Sequence, residues 1–186
     1  GEFDITKPIT SIKRATGTGI NKKLAPRIFG LVASDDRIAV AVGNSIIRQG
    51  GSAADAAVAM TFTMGVTLPS RASLAGGGIC LVSGSGENQV QVLDFLPLAS
   101  RARSENGDRP TAVPTMVRGM AALHSKFGKK KWRELLAPAR NLSRDGFILT
   151  KSFADDLAAL ANPLFADPVS RAVFSVGHGK PYTKGR

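Results

Sequence analysis

Between Ser52 and Pro69 the chain reads SAADAAVAMTFTMGVTLP, and Asp55 is the only charged residue in it. A surface helix carries one apolar stripe. This segment is apolar or small nearly all round, so it must be buried between layers. The pattern predicts a helix from Ala53 to about Val66. Ser52 and Asp55 form an S-x-x-D start, in which hydroxyl and carboxylate satisfy first-turn N–H groups reciprocally. The alanines let another backbone come close, and Pro69 ends the run. A helix of this kind needs material on several sides. With 186 residues, 43% of them hydrophobic, the chain has enough to supply it.

The flanking segments supply candidates for those layers. Residues 1–30 form a basic, extended arm broken by Pro8, Gly17, Gly19 and Pro26; the opening Gly1–Phe3 is set aside as an expression scar. "FGLVAS" (Phe29 to Ser34) predicts a short strand. Asp35 or Asp36 then caps a helix whose inward face holds Ile38, Val42, Ile46 and the pair Ala41/Ile47, and Gly50 and Gly51 give it a left-handed stop. Ile79 to Ser83 and Val90 to Phe95 predict a hairpin. Leu96 to Pro114 reads as an irregular loop. Three more helices follow. In "TMVRGMAALHSKFG", Met116, Val117, Met120, Leu123 and Phe127 face inward. "WRELLAPARNLSRDG" is kinked or restarted at Pro138. A third, capped by Thr150, has Phe153, Leu157 and Leu160 on one stripe and stops at Asn162-Pro163. The tail from Leu164 reads as mostly irregular, with a strand candidate at "AVFSV".

Composition and motifs exclude several functions. The net charge of +11 permits contact with anionic partners. The basic residues are scattered apart from "GKKKW" (Gly128 to Trp132), and one Tyr and one Trp make a poor base-stacking platform, so a nucleic-acid site is disfavoured. The single cysteine, Cys80, excludes an internal disulfide and reads as a small core side chain. His124 and His178 form no metal-spaced pair, so neither metal nor cofactor is expected. No apolar run reaches membrane-spanning length. The triplet Gly76, Gly77, Gly78 lacks the Lys-Ser/Thr of a phosphate loop. It also stands between a helix and a strand, the reverse of a dinucleotide fingerprint. Asp35/Asp36 and Asp155/Asp156 are sequence neighbours and read as caps and surface charge. Local chemistry alone gives no complete catalytic constellation.

The order of segments carries more than any one of them. "VAS", "QGGSAADAAVAM", "GVTLPS", "GGG", "LDF", "AVPTMVRGM" and "FGKKKWRELLAPARNLSRDGF" together resemble the large subunit of γ-glutamyltranspeptidases over about Leu31 to Phe153. The resemblance implies an α+β chain supplying part of a four-layer αββα N-terminal-nucleophile hydrolase fold. Residues 31–186 would then be the N-terminal part of a large subunit. It further implies a precursor that cuts itself before a threonine. That threonine heads a small subunit, its hydroxyl being the nucleophile and its own amine the base. Substrates would be γ-glutamyl or related acyl amides such as glutathione. The family setting implies periplasmic or secreted location, although nothing in the chain requires export.

No Thr-His dipeptide of the family's nucleophile segment occurs here, so no catalytic residue is expected in this chain. The large subunit's usual substrate contact is the Arg of L-D-x-R-E, which grips the glutamyl α-carboxylate. Here the string is "LDFLPLASRAR": Leu96 stands at the Arg position and Pro97 at the Glu. Arg101 and Arg103 are the candidate substitutes, against a plainer reading as solvated loop arginines. Gly76, Gly77, Gly78 and Asp94 are expected to be structural, near the site, with Asp94 holding loop hydrogen bonds. Thr115 replaces the family's usual Gly after "VP". Two readings follow: an enzyme of altered acyl choice completed by a Thr-led partner, or a homologue that keeps the scaffold without catalysis. Anion binding through the positive charge is a third.

Overall fold

The computed structural model describes residues 30–84, 90–99, 112–176, 179–183 and 185, so almost all of the basic arm expected at 1–30 lies outside the described residues. At its centre is α2 (Ala53–Thr67), with nine buried residues distributed around the helix. α1 (Arg37–Arg48), α3 (Met116–Phe127) and α4 (Trp132–Asp145) pack against it. Val58, Ala59 and Phe62 of α2 share one core with Ile46, Met120, Leu123, Leu135 and Ala139. The buried hydroxyl of Thr63 donates to Ala59 O at 2.7 Å, so it carries no unpaired polar group inward.

Below the helices lies a two-stranded antiparallel hairpin of β1 (Gly78–Val82) and β2 (Gln91–Phe95), registered from Gly78 opposite Phe95 to Val82 opposite Gln91. Alternation puts Cys80, Val82, Leu93 and Phe95 against the helical core. It leaves Ile79, Leu81 and Val92 exposed on the other face. Of the turn expected at Gly84 to Asn88, only Gly84 is among the described residues, in a left-handed conformation (φ 88°).

A buried carboxylate knots the helical layer. Asp55 is fully buried and accepts from Ser52 N (2.8 Å), completing the capping box with Asp55 N on Ser52 Oγ. It also accepts from Lys129 N (3.0 Å) and Lys130 N (3.2 Å) in the α3–α4 connection. Ser52 Oγ donates to Phe127 O at 2.8 Å, and His124 Nε2 lies 2.7 Å from Lys130 O. Immediately upstream, Gly50 N donates to Ile47 O and Gly51 N to Ile46 O, the Schellman pattern that closes α1. Only Gly50 needs the left-handed conformation (φ 84°). At the opposite end of the α1–α2 pair, buried Asp36 caps Ile38 N at 2.9 Å and accepts the Thr67 hydroxyl.

A second cluster joins Leu68 to Leu149 and to Phe153 and Leu157 of α5 (Lys151–Leu164). Arg71 straddles the Asp156 carboxylate with two 2.9 Å bonds, and Ser70 Oγ adds a third at 2.6 Å. These bonds hold the Asp156 carboxyl down to about 2, well below its ordinary 3.8.

Several expectations need correction. Gly30–Ser34 carries no strand pairing; it runs alongside α1 and α2. On α1 the expected Ile46 is buried and Val42 and Ile47 pack against the core, but Ala39 and Gly43 are buried as well and Ala41 is exposed; Gly43 admits Met60 close to the helix backbone. Val117 and Leu160 are exposed. Pro138 neither breaks nor restarts α4: it removes one donor, while its neighbours Leu135 and Ala139 are anchored in the core. Pro163 falls in the last turn of α5, and Phe165 N still reaches Ala161 O at 2.8 Å. The tail holds a further helix, α6 (Pro168–Phe174), begun by Asp167 accepting from Ser170 N at 2.7 Å. Only Ser175–Val176 of "AVFSV" is strand (β3), paired with β4 (Lys180–Pro181).

Asp55→Ala orphans three N–H groups, those of Ser52, Lys129 and Lys130. At about 1 kcal/mol or more each, a urea titration should show a loss of about 3 kcal/mol; a loss below about 1 kcal/mol would remove Asp55 from its central place. The Asp156 contribution has the opposite kind of signature. Its folded pKa is depressed, so its stabilisation is complete above the ordinary 3.8 and vanishes as pH falls toward 2. The urea midpoints of wild type and Asp156→Asn should differ at pH 6 and converge near pH 2. Equal midpoints at pH 6 would refute this.

Candidate functional site

The end of β2 meets the glycine triplet and the start of α3. Gly76 O accepts from both Thr115 N and Met116 N at 3.0 Å. The Thr115 hydroxyl donates to Phe95 O, the carbonyl just before Leu96. A methyl group at Gly77 would collide with Phe95 O, Thr115 Oγ1 and Pro97 Cδ, so only glycine lets these three backbones meet. The Phe95 ring lies against Gly78 and so close to Gly119 of α3 that a Cβ there would overlap it. Gly77 is therefore a packing device, while Gly76 offers its carbonyl to the start of α3 and Gly78 lies against the Phe95 ring.

This knot fixes the backbone that presents Leu96. Asp94 is exposed, and its Oδ1 accepts from Leu96 N at 3.0 Å. Leu96 itself is 48% exposed. Two residues on, Val113 N donates to Leu98 O at 2.9 Å and Ala99 bridges Ala112, so the loop's two stems are stitched together. Leu98 and Val113 are exposed, which makes this rim apolar. Arg101 and Arg103 lie outside the described residues.

Elsewhere, a cavity of about 750 Å³ opens between Gly30–Ser34 and the α1–α2 pair, walled by Val32, Ile47, Ala56 and Met60. Two of its hydroxyls are spent locally: Ser52 Oγ donates to Phe127 O, and Ser34 Oγ to Met64 Sδ. Neither of these two is paired with a base, so neither is an activated nucleophile. Burial pushes the Cys80 thiol up, away from the reactive thiolate. Among the described residues no His/Cys/Asp/Glu group could hold a metal ion, and no helix is long and apolar enough to cross a membrane.

Sequence reasoning undervalued two residues. Thr115 was noted only as a replacement for the family's usual Gly after "VP", yet its hydroxyl latches the exit of β2. A hydroxyl between "VP" and a helix start was the available signal. Asp55 was legible as a cap, but its grip on Lys129 and Lys130 spans 74 residues of sequence and leaves no local signal.

A helical layer packed over a hairpin is, by its likeness to solved structures, part of an N-terminal-nucleophile hydrolase fold. The Helicobacter pylori γ-glutamyltranspeptidase has a TM-score of 0.77 at 27% identity, covering 84% of this chain and 49% of that one. The transpeptidase CapD of Bacillus anthracis gives 0.74 at 26%, covering 84% and 52%. The γ-glutamyltranspeptidase family model matches residues 39–186. Glutathione hydrolase 3 of Arabidopsis thaliana is 31% identical over 157 residues, 78% of this chain. The chain belongs to the γ-glutamyltranspeptidase family. It spans about a quarter of that curated relative's length.

Gly77→Ala introduces the overlap described above and should cost about 1–3 kcal/mol, read as a lowered urea midpoint. Thr115→Val leaves Phe95 O without its donor, at about 1 kcal/mol, and Thr115→Ser should restore it. A serine variant no better than valine would show that the hydroxyl does not hold this knot.

Proposed function

We propose that this chain is the N-terminal portion of the large subunit of a threonine-nucleophile enzyme that hydrolyses or transfers γ-glutamyl or related acyl groups. The second chain comes from the same precursor and carries the threonine. Its Oγ attacks the amide carbonyl while its α-amine takes the hydroxyl proton and passes it to the leaving amine. Water, or an amino-acid or peptide acceptor, then releases the acyl group. Exported location, as in the family, accompanies this reading. Family membership supports the reaction class, and the exposed apolar face of β1–β2 offers a surface for the second chain.

The observation that bears on substrate choice is Leu96. Its backbone is held by Asp94 and follows the Thr115-latched carbonyl, and the side chain at this place is an aliphatic group without charge. An acyl group lacking the glutamyl α-carboxylate suits it better than a γ-glutamyl group does. Leaving a buried carboxylate without its guanidinium costs about 2–5 kcal/mol, which at about 1.4 kcal/mol per decade is at least roughly 30-fold in affinity.

The test uses the full precursor. N-terminal sequencing of the second chain should find a free threonine; its absence would favour the scaffold without catalysis. The processed enzyme should prefer glutaryl- over γ-glutamyl-p-nitroanilide, and Leu96→Arg should move the kcat/KM ratio toward the γ-glutamyl substrate by about 30-fold or more. A wild-type preference for the γ-glutamyl compound refutes the assignment to Leu96 while leaving the reaction class standing.

A further inference from the structure

The outer face of α4 carries a cluster of cations that the acyl-transfer reading does not use. A groove of about 330 Å³ is lined by Lys131, Arg133, Glu134, Ala137 and Arg140. Arg133, Ala137 and Arg140 follow the i, i+4, i+7 spacing of one helical stripe. The methyl of Ala137 therefore lies between two guanidinium-bearing positions. Their backbones are about 10 Å apart, from the 1.5 Å rise per residue. Lys131 adds a third cation at the start of the helix.

Three observations distinguish this cluster from ordinary surface charge. Among the described residues, none of Lys131, Arg133 and Arg140 takes part in an ion pair, whereas Arg71, Arg144 and Lys151 each do. The only side-chain contact of the Arg140 guanidinium in this set is neutral Asn141 Oδ1 at 3.5 Å. The frame is also rigid. Leu135 and Ala139 are buried on the opposite side of the helix, and Asp55 holds the backbone of Lys129 and Lys130 just before it. The like charges therefore cannot relieve their repulsion by backbone drift, and one carboxylate, Glu134, does not balance three cations.

We propose that this groove binds a small soluble oxyanion with two linked phosphoryl groups. Guanidinium forks match phosphoryl oxygens bidentately, and two forks one turn either side of a small residue accept two tetrahedral groups. A singly charged ligand would be opposed by Glu134; a multivalent one outweighs it. Nucleic acid is disfavoured because the neighbouring Trp132 ring is engaged edge-on by Phe62 and His124, and offers no free face for stacking.

Calorimetric titration of the full chain with inorganic pyrophosphate and orthophosphate, at matched ionic strength, tests the site. Pyrophosphate should bind saturably, one per chain, at least tenfold tighter than orthophosphate. The Arg133→Gln/Arg140→Gln double variant, with an unchanged circular dichroism spectrum, should weaken it at least tenfold. Glu134→Gln should tighten it, which a merely structural role would not produce. Arg144→Gln, at a residue already paired with Asp145, should leave it unchanged. Pyrophosphate binding no tighter than orthophosphate, or unaffected by the double variant, overturns the proposal. Tighter binding to cardiolipin vesicles than to pyrophosphate, lost in the same variant, would also overturn it in favour of a lipid surface.

Discussion

Four helices depend on where one buried carboxylate finds its donors. Asp55 lies in the first turn of α2, takes the N–H of Ser52, and reaches across to Lys129 and Lys130 before α4. Ser52 simultaneously holds the last carbonyl of α3. The Schellman turn that ends α1 is one residue upstream. A charge in a core is costly unless its oxygens are fully bonded, and here backbone N–H groups do the bonding. Backbone donors tolerate change in the side chains that carry them, so the loop lysines are free to serve the surface. Asp36 does the equivalent at the other end, tying the start of α1 to the end of α2. The α1–α2 pair is thus pinned at both ends, and the alanine-rich stretch between needs only close packing.

The same layer determines how the rim is presented. The Phe95 ring is seated on glycines of β1 and α3, and the carbonyl behind it is held by Thr115. Position 96 is thereby fixed to the helical core through a few rigid contacts. A change of side chain there alters chemistry without altering scaffold. That separation makes an aliphatic side chain at position 96 tolerable to the fold.

Much of this was legible in the sequence. The capping box, the all-round apolar helix, the hairpin and the helical ends at Gly50, Gly128 and Gly146 follow from local chemistry, and each stands in the structure. The misses share a cause. Pro138 was read as a kink or restart because local cost was weighed without tertiary packing, and α4 runs on through it, whereas α5 does end beside Pro163, at Leu164. On α1, Ile46, Val42 and Ile47 face the core as read, but Gly43 was overlooked because glycine counts as neither apolar nor polar, yet it is where Met60 enters. α6 was missed although Asp167-Pro168 is a strong start, because seven residues give too little periodicity to see. Of the rim, Leu96 was identified from motif order, whereas the Thr115 latch joins residues 20 apart in sequence and only folding brings them together.

The stitched stems at Ala99 and Ala112 have a consequence for loop length. A segment whose two ends are already joined can gain or lose residues with little further loop-closure cost, since that cost grows only with the logarithm of length. Neither β2 nor α3 would feel the change. A change of length between the stems therefore leaves the core to which they are anchored as it is.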